Sequence, residues 1–542
     1  MTNRHLWWQT GVIYQIYPRS FADTTGNGVG DLKGIIQKLD YLSDTLGVDA
    51  IWLSPFYPSP MADFGYDVAD YTDVDPLFGD LEDFDRLVSI AHKRGIKIII
   101  DLVPNHSSDQ HAWFQESRAS RESPKRDWYI WGDPKPDGSP PNNWLSVFGG
   151  PAWEWETDSG QYYLHSFLKE QPDLNWRNPT VREAMLDVVR FWLERGVDGF
   201  RVDVAHYIMK DPEMRDNPVN PEAAKSIHRP LGEYDSQFHL YDKGHPDVHE
   251  AYRQFRQVLD EYSHDSPRMA VGEIHIFNWE EWASYYGKNL DELHMPYNFS
   301  LLGVPWKAEE IRKTIDELEA ALPPGAWPNY VLGNHDEDRL ASRIGIDQVR
   351  IAAMLLLTLR GTPTIYFGEE IGMTSVEIPR ERQKDPAGLR QAGQGRDLCR
   401  TPMQWSAEPN AGFSSPATKE LWLPIGENYQ EVNVLRQIDD EKSILTLYRR
   451  LLALRAQTPA LQWGDYQPID GTPRDCFVYL RTTPDEKYLM ALNFSSEALY
   501  IDLPHLGKGI ITLSTYLDRE GSVDLMRLEL RSNEGLVIQL NL

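Results

Sequence analysis

The sequence predicts a (β/α)8 barrel with an inserted segment after its third strand and a C-terminal antiparallel β-domain. Three observations predict it. Short β-branched runs recur from residue 12 to residue 367. Amphipathic stretches separate several of them, which is the alternation of an α/β fold. After about residue 461 the runs become apolar or alternating, with turn residues between them, as in antiparallel strands.

The runs are 12–21 (VIYQIYPRSF), 49–54 (DAIWLS), 96–103 (IKIIIDLV), 199–204 (GFRVDV), 269–274 (MAVGEI), 293–299 (LHMPYNF), 330–334 (YVLGN) and 363–367 (PTIYF). Near-continuous apolar runs suit strands buried on both faces of a parallel sheet. Helical patterns cover 81–94, 181–195, 249–262, 308–321 and 348–359. Eight strands with such helices close into a barrel of TIM type. The connection 106–175 is too long for a simple crossover and is rich in Trp, Pro, Gly and Ser. A structureless loop of that size does not fit a compact domain, so it reads as a small irregular domain. The barrel is therefore placed at 1–105 and 175–460, the inserted subdomain at 106–174, and a β-sandwich domain at 461–542. In the last domain the strand candidates are 476–481, 488–494 and 535–540.

The chain carries 54 Lys and Arg against 82 Asp and Glu, a net charge of −28. That balance excludes a nucleic-acid binder, which needs cations to neutralise phosphates. It excludes electrostatic attachment to anionic lipid for the same reason. Most of the acid surplus reads as a solvated surface. The 18 Trp, 26 Tyr and 18 Phe fill the core, and some can serve as platforms for a sugar face. Cys399 and Cys476 have no CxxC spacing and read as two thiols of a reducing compartment. Residues 1–10 (MTNRHLWWQT) lack a signal-peptide core, and no apolar run approaches about 18 residues. The expectation is a soluble, cytoplasmic protein with no membrane contact.

Acidic residues interrupt the apolar runs at particular places. Asp101, Asp203, Glu273 and Asp336 each sit at or near the C-terminal end of a predicted strand. In a barrel those ends converge on the face that carries active sites. A lone Asp there is more often a helix cap, and for Asp101 capping or structural pairing is an equal alternative. For the group, with Arg201 two residues before Asp203 and His335 beside Asp336, capping explains little. Clustered carboxylates suit acid/base chemistry at a glycosidic bond, which needs one ionised and one protonated carboxyl. Arg201 would hold Asp203 ionised. The His residues lack HExxH spacing, which leaves a catalytic metal as the weaker reading.

The motifs DLVPNH (101–106), GFRVDV (199–204), VGEI (271–274) and GNHDEDR (333–339) resemble the four signature regions of the α-amylase superfamily of glycoside hydrolases. QPDLNWRNP (171–179), FGYDVADY (64–71) and RTPMQW (400–405) resemble its oligo-1,6-glucosidase and α-glucosidase branch. The resemblance spans nearly the whole chain, and it implies the same barrel, insertion and β-domain. By position it makes Asp203 the nucleophile, Glu273 the general acid and then base, and Asp336 the transition-state stabiliser. It implies retention through a covalent β-glucosyl-enzyme, with α-glucose as first product and the two carboxyls about 5–5.5 Å apart. It places His106, Arg201 and His335 as donors to the reacting ring, with Tyr66 stacked beneath the sugar. Asp63 and Arg400 would bind the terminal hydroxyls and close the pocket, which makes the enzyme exo-acting. Phe148 and Phe167 would line the rim, with packing of the insertion as an equal alternative. The partner implied is a short neutral α-glucoside.

The run 23–31 (DTTGNGVGD) resembles the family's calcium loop. Asp23, Thr25, Asn27, the Val29 carbonyl and Asp31 could bind a structural Ca²⁺ or Mg²⁺; the alternative is a Gly-rich turn. No cofactor is expected for catalysis. Val204, after the nucleophile, leans towards α-1,6 linkages in this branch, although Ala205-His206-Tyr207 departs from the usual α-1,6 pattern. Residues 211–224 and 274–279 are expected to shape the acceptor side. Two rival readings use the same motifs. One is a transglucosylase or a trehalose or isomaltulose synthase. The other is a non-catalytic relative, which the complete carboxylate triad argues against.

Overall fold

A computed structural model of the chain describes residues 5–221, 231–264, 266–297, 299–390 and 393–541. Strands β1 (Ile13–Ile16), β2 (Ala50–Leu53) and β3 (Lys97–Leu102) are followed by the short β4 (Trp131–Gly132), β5 (Trp153–Glu156) and β6 (Gln161–Leu164). Then come β7 (Gly199–Val202), β8 (Met269–Glu273), β9 (Met295–Tyr297), β10 (Asn329–Val331) and β11 (Thr362–Tyr366). Eight of them pair in the order β10-β11-β1-β2-β3-β7-β8-β9, every pairing parallel. The end strands β9 and β10 also lie against each other, so the sheet is a nearly closed (β/α)8 barrel. Each β-branched run of the sequence overlaps one barrel strand. The first run shortens because Pro18 opens a helical turn, Pro18–Phe21, where a locked φ suits a helix start.

The strands are buried almost throughout, which explains their unbroken apolar character. Outside them lie helices Leu81–Lys93, Pro179–Glu194, Val248–Glu261 and Ala308–Ala321. Asp80 caps the first by accepting from the Asp83 N–H, and Asn178 caps the second by accepting from the Thr180 N–H. Helix Val349–Thr358 is buried along its whole length. It packs on helix Ile444–Gln457 and on a C-terminal strand, so it is covered on both sides.

Between β3 and β7 the chain builds a small antiparallel sheet, β4-β6-β5, beside a cluster of Trp144, Ala152, Trp153 and Leu164. At the C-terminus Cys476–Thr482, Lys487–Asn493, Lys508–Ser514 and Gly535–Leu540 join an antiparallel sheet. A two-strand ribbon, Leu499–Ile501 with Leu528–Leu530, faces it across Leu480, Leu489, Ile501, Leu530 and Ile538. Among the described residues no helix is long and apolar enough to cross a membrane. Cys399 and Cys476 are both buried and unpaired.

Candidate active site

Parallel register does the first part of the assembly. Asp101 on β3 pairs with Arg201 on β7, and Arg201 pairs with Val271 on β8, two residues before Glu273. Side chains two apart on a strand share a face, so Arg201, Asp203 and Glu273 turn towards the same space. Asp203 follows β7 directly, and His335 and Asp336 lie in the loop after β10. All of these are the C-terminal ends of barrel strands.

Arg201 is the hub. Its Nη1 donates to Asp101 Oδ1 at 2.8 Å and to Asp203 Oδ1 at 2.7 Å, and its Nη2 donates to Glu273 Oε2. Asp203 and Glu273 therefore stand side by side on one buried guanidinium. Glu273 Oε2 also accepts from the Val204 N–H at 3.2 Å, and its Oε1 meets His275 Nε2 at 2.7 Å. Val204 has φ +35°, a left-handed conformation that a β-branched residue adopts only under constraint.

Three or more carboxylates around one arginine cannot all ionise without cost, and they titrate as a unit. Burial pushes Asp203 well above the ordinary range; Arg201 pulls it back, and Glu273, Asp101 and Asp336 push it up again. Asp101 rises to about 6, first by burial, against the pull of Arg201. Burial also acts to raise Glu273, but Arg201 and the His275 hydrogen bond outweigh it and hold the carboxyl at about 2. The three carboxyls thus titrate as one unit in which burial favours the proton on Asp203, against the sequence expectation that Arg201 holds Asp203 ionised, while Arg201 and His275 draw it away from Glu273. Asp336 is held well below the carboxylate range: burial opposes its charge, while His335, Arg396 and Arg400 favour it.

Asp203, Glu273 and Asp336 line one cavity of about 530 Å³, together with Asp63, Tyr66, His106, Phe148, Phe167 and His335. The rings of Tyr66 and His335 are parallel to 3° with centroids 5.5 Å apart, and the tyrosine hydroxyl is 2.6 Å from Nε2. Gln15 Nε2 lies 2.8 Å from His335 Nδ1, and burial lowers the imidazole to about 3 against the opposing pull of Asp336. His106, lowered to about 4 by burial, touches the Tyr66 carbonyl and Gln171. Phe167 packs between His106 and Tyr207, with ring centroids at 5.2 and 5.3 Å.

Arg400 lies deeper than the sequence suggests. It is fully buried and does not line the cavity; its Nε donates to the His335 carbonyl at 2.7 Å and its Nη2 to Asp336 Oδ1 at 2.9 Å. The partner of Asp63 is Arg396, which the sequence analysis did not single out. Arg396 Nη2 donates to Asp63 Oδ1 and to Asp385 Oδ1, both at 2.6 Å, and its Nη1 reaches Asp336 Oδ1 at 3.3 Å. Its guanidinium stands 5.3 Å from the Phe148 ring. Two arginines four residues apart in one loop leave no periodicity to tell the lining one from the buried one. His275 was missed although a signal existed: it is two residues after Glu273, on the same face of an extended run.

On the other side the cavity is lined by Tyr207, Tyr234, His239, Lys243, His275, Phe277 and Phe299. His275 and Phe277 fall in the segment 274–279 that was expected there. Of the segment 211–224, residues 222–224 lie outside the described residues.

In the 23–31 loop the oxygens serve the loop itself. Asp23 Oδ1 accepts from the Thr25 and Gly26 N–H groups, and Oδ2 from the Gly28 N–H and the Ser414 hydroxyl at 2.6 Å. Asn27 Oδ1 accepts from the Val29 N–H, and Asp31 accepts from Thr24 and the Gly34 N–H. This donor set fits a self-closed turn better than a cation cage. Among the described residues no three His, Cys, Asp or Glu side chains gather as a metal cluster.

Comparison with known proteins gives a consistent result. A family model described as the alpha-amylase catalytic domain matches residues 15–464. A probable alpha-glucosidase of Rhizobium meliloti (strain 1021) is 46% identical over 92% of this chain and 91% of its own length. An oligo-1,6-glucosidase of Parageobacillus thermoglucosidasius is 38% identical over 99% of both. The solved structure of an alpha-glucosyl transfer enzyme superposes with a TM-score of 0.94 at 43% identity, covering 99% of this chain and 100% of that one.

Proposed function

The chain belongs to the α-amylase family of glycoside hydrolases, and from that premise we propose that it is a retaining, exo-acting α-glucosidase. It would release α-glucose from the non-reducing end of short α-glucosides of maltose or isomaltose type. The observation that carries this reading is the pairing of Asp203 and Glu273 on Arg201 in one cavity with Asp336.

In the first step the proton shared by the carboxyl cluster sits on Glu273, an Asp203 carboxylate oxygen bonds to the anomeric carbon while the glycosidic bond breaks, and Glu273 gives that proton to the leaving oxygen. In the second step Glu273 takes a proton from water, the water oxygen bonds to the same carbon, and Asp203 is released. Two carboxylates within reach of one guanidinium support direct attack by Asp203. Asp336, held ionised by its arginines, would stabilise positive charge on the sugar ring. The Asp63–Arg396 pair would bind the terminal hydroxyls and bar a longer chain. For the loop of Asp23, Thr25, Asn27, Val29 and Asp31 we propose the self-closed Gly-rich turn rather than a Ca²⁺ or Mg²⁺ site, and it enters no step. Two unpaired thiols support a reducing compartment, the cytoplasm.

The test is a panel of maltose, isomaltose, kojibiose, nigerose, trehalose and sucrose, with product anomers followed by proton NMR. The expected first product is α-glucose. Release of β-glucose would overturn retention, and cleavage of substrates blocked at the non-reducing end would overturn the exo mode. A second reading, glucosyl transfer or sucrose or maltose isomerisation, draws on the aromatic rings of Tyr207, Tyr234, Phe277 and Phe299 on the acceptor side. Transfer products dominating over glucose in the same panel would select it.

A further inference from the structure

The two oxygens of Glu273 are held differently. Oε2 accepts from Arg201 and from the Val204 N–H. Neither donor can withdraw, because Arg201 is 1% exposed and also bonds Asp101 and Asp203. Oε1 is the oxygen left to carry a proton to a glycosidic bond, and the group it meets is His275 Nε2 at 2.7 Å. The His275 side chain is 38% exposed, lines the cavity, and lies flat on Phe299 with centroids 3.8 Å apart and planes at 11°. The imidazole is thus oriented by an aromatic wall, and its N–H occupies the side of Glu273 from which a leaving group must approach.

We propose that His275 is a positioning residue for the acid/base, holding Glu273 Oε1 as a carboxylate for the step in which it accepts a proton and yielding that oxygen when a leaving group arrives. The inference rests on the Glu273 role given above and goes beyond it. An N–H donor to a carboxylate favours the charged form. That keeps Glu273 deprotonated, as its role as base requires, down to lower pH, and it opposes protonation of the leaving oxygen. Departure of the leaving alcohol and entry of water then alternate with loss and return of one hydrogen bond. The other charged or titratable groups facing Glu273 and His275 are Arg201, Asp203, Asp101, Tyr297, Asp336 and His206, with Lys243 acting on His206.

The test compares His275→Phe and His275→Ala, which remove the donor, with His275→Gln, which keeps an N–H. The readout is kcat/KM against pH on maltose, with the melting temperature as a folding control. Phe and Ala are expected to move the alkaline limb up by about half a unit to one unit, the scale of one hydrogen bond to a charged group. Gln is expected to leave it near the wild-type position. With 4-nitrophenyl α-glucoside, whose departure needs little acid, kcat reports the second step, and Phe and Ala are expected to move its acid limb up by a similar amount, because Glu273 then loses its proton only at higher pH. An alkaline limb that stays put in folded Phe and Ala variants would overturn the proposal. So would an equal shift in the Gln variant. Glu273→Gln with wild-type activity on maltose would overturn the acid/base reading itself, which separates the two failures.

Discussion

Arg396 and Asp63 are 333 residues apart in the chain and meet at 2.6 Å at the wall of the cavity, where the same arginine also holds Asp385 and Asp336. Arg400, four residues on, sits behind that wall. The two arginines should therefore fail differently. Arg396→Ala is expected to raise KM for maltose and lower kcat/KM by about 10–100-fold, the worth of one charge-assisted hydrogen bond. Both variants should lower the melting temperature, Arg396→Ala because it unpairs the buried Asp63 and Asp385, and Arg400→Ala because it takes the donor from the His335 carbonyl and one of two arginines from Asp336. Steady-state kinetics on folded variants decide this; an unchanged KM in Arg396→Ala would contradict its place at the cavity wall.

Removing the carboxylates should separate by leaving group. Asp203→Asn is expected to abolish turnover on every substrate. Glu273→Gln should cost about 10²–10⁴-fold on maltose and much less in the first step on an activated aryl glucoside. A uniform loss across leaving groups would remove Glu273 from the acid role.

Val204 holds φ +35° beside the nucleophile while its N–H binds Glu273. Relief of that strain should show in Val204→Gly: the entropy cost of glycine, about 0.5–1 kcal/mol, should be offset by release of about 1–3 kcal/mol. The melting temperature should stay level or rise. Val204→Ala should move the isomaltose-to-maltose ratio of kcat/KM towards maltose. An unchanged ratio would leave Val204 a structural residue.

The turn at 23–31 closes on its own N–H groups, so EDTA is expected to lower the melting temperature by no more than about 2 °C. A fall of more than about 5 °C, reversed by Ca²⁺, would make the cation part of the fold.

Glu369 is fully buried and reaches about 7, driven up first by burial, against its hydrogen bond from Tyr448 and with Glu370 adding to the rise. Its Oε2 has no hydrogen-bond partner. In the unfolded chain it titrates near about 4.3. Between those values the native state holds a proton that the unfolded state has lost, so stability falls as pH rises through that window. Glu369→Gln should therefore stabilise the protein more at pH ~8 than at pH ~4, by about 1–3 kcal/mol, read as the difference in chemical denaturation. A pH-independent effect would contradict the assignment.

Much of the scaffold was legible in the chain because a parallel barrel buries its strands on both faces, and burial shows as unbroken β-branched runs. Gly199–Val202 and Met269–Glu273 announce themselves that way, and the acidic residues at their ends stand out against apolar neighbours. The loops were harder to read. Arg396 and Arg400 are chemically alike in sequence, and no period orders a loop. His275 was legible in principle, through its spacing from Glu273.

By itself the sequence determined the order of strands and helices, the barrel, and the strand-end carboxylates, since each follows from local pattern and from the rule that parallel strand ends converge. The tertiary structure alone decided which arginine faces the cavity and which lies beneath it. It also decided that one guanidinium joins Asp101, Asp203 and Glu273, and that an imidazole meets the remaining oxygen of Glu273. These are contacts between loops and strands far apart in the chain, and their energies depend on burial and on distances of about 3 Å that no local pattern encodes.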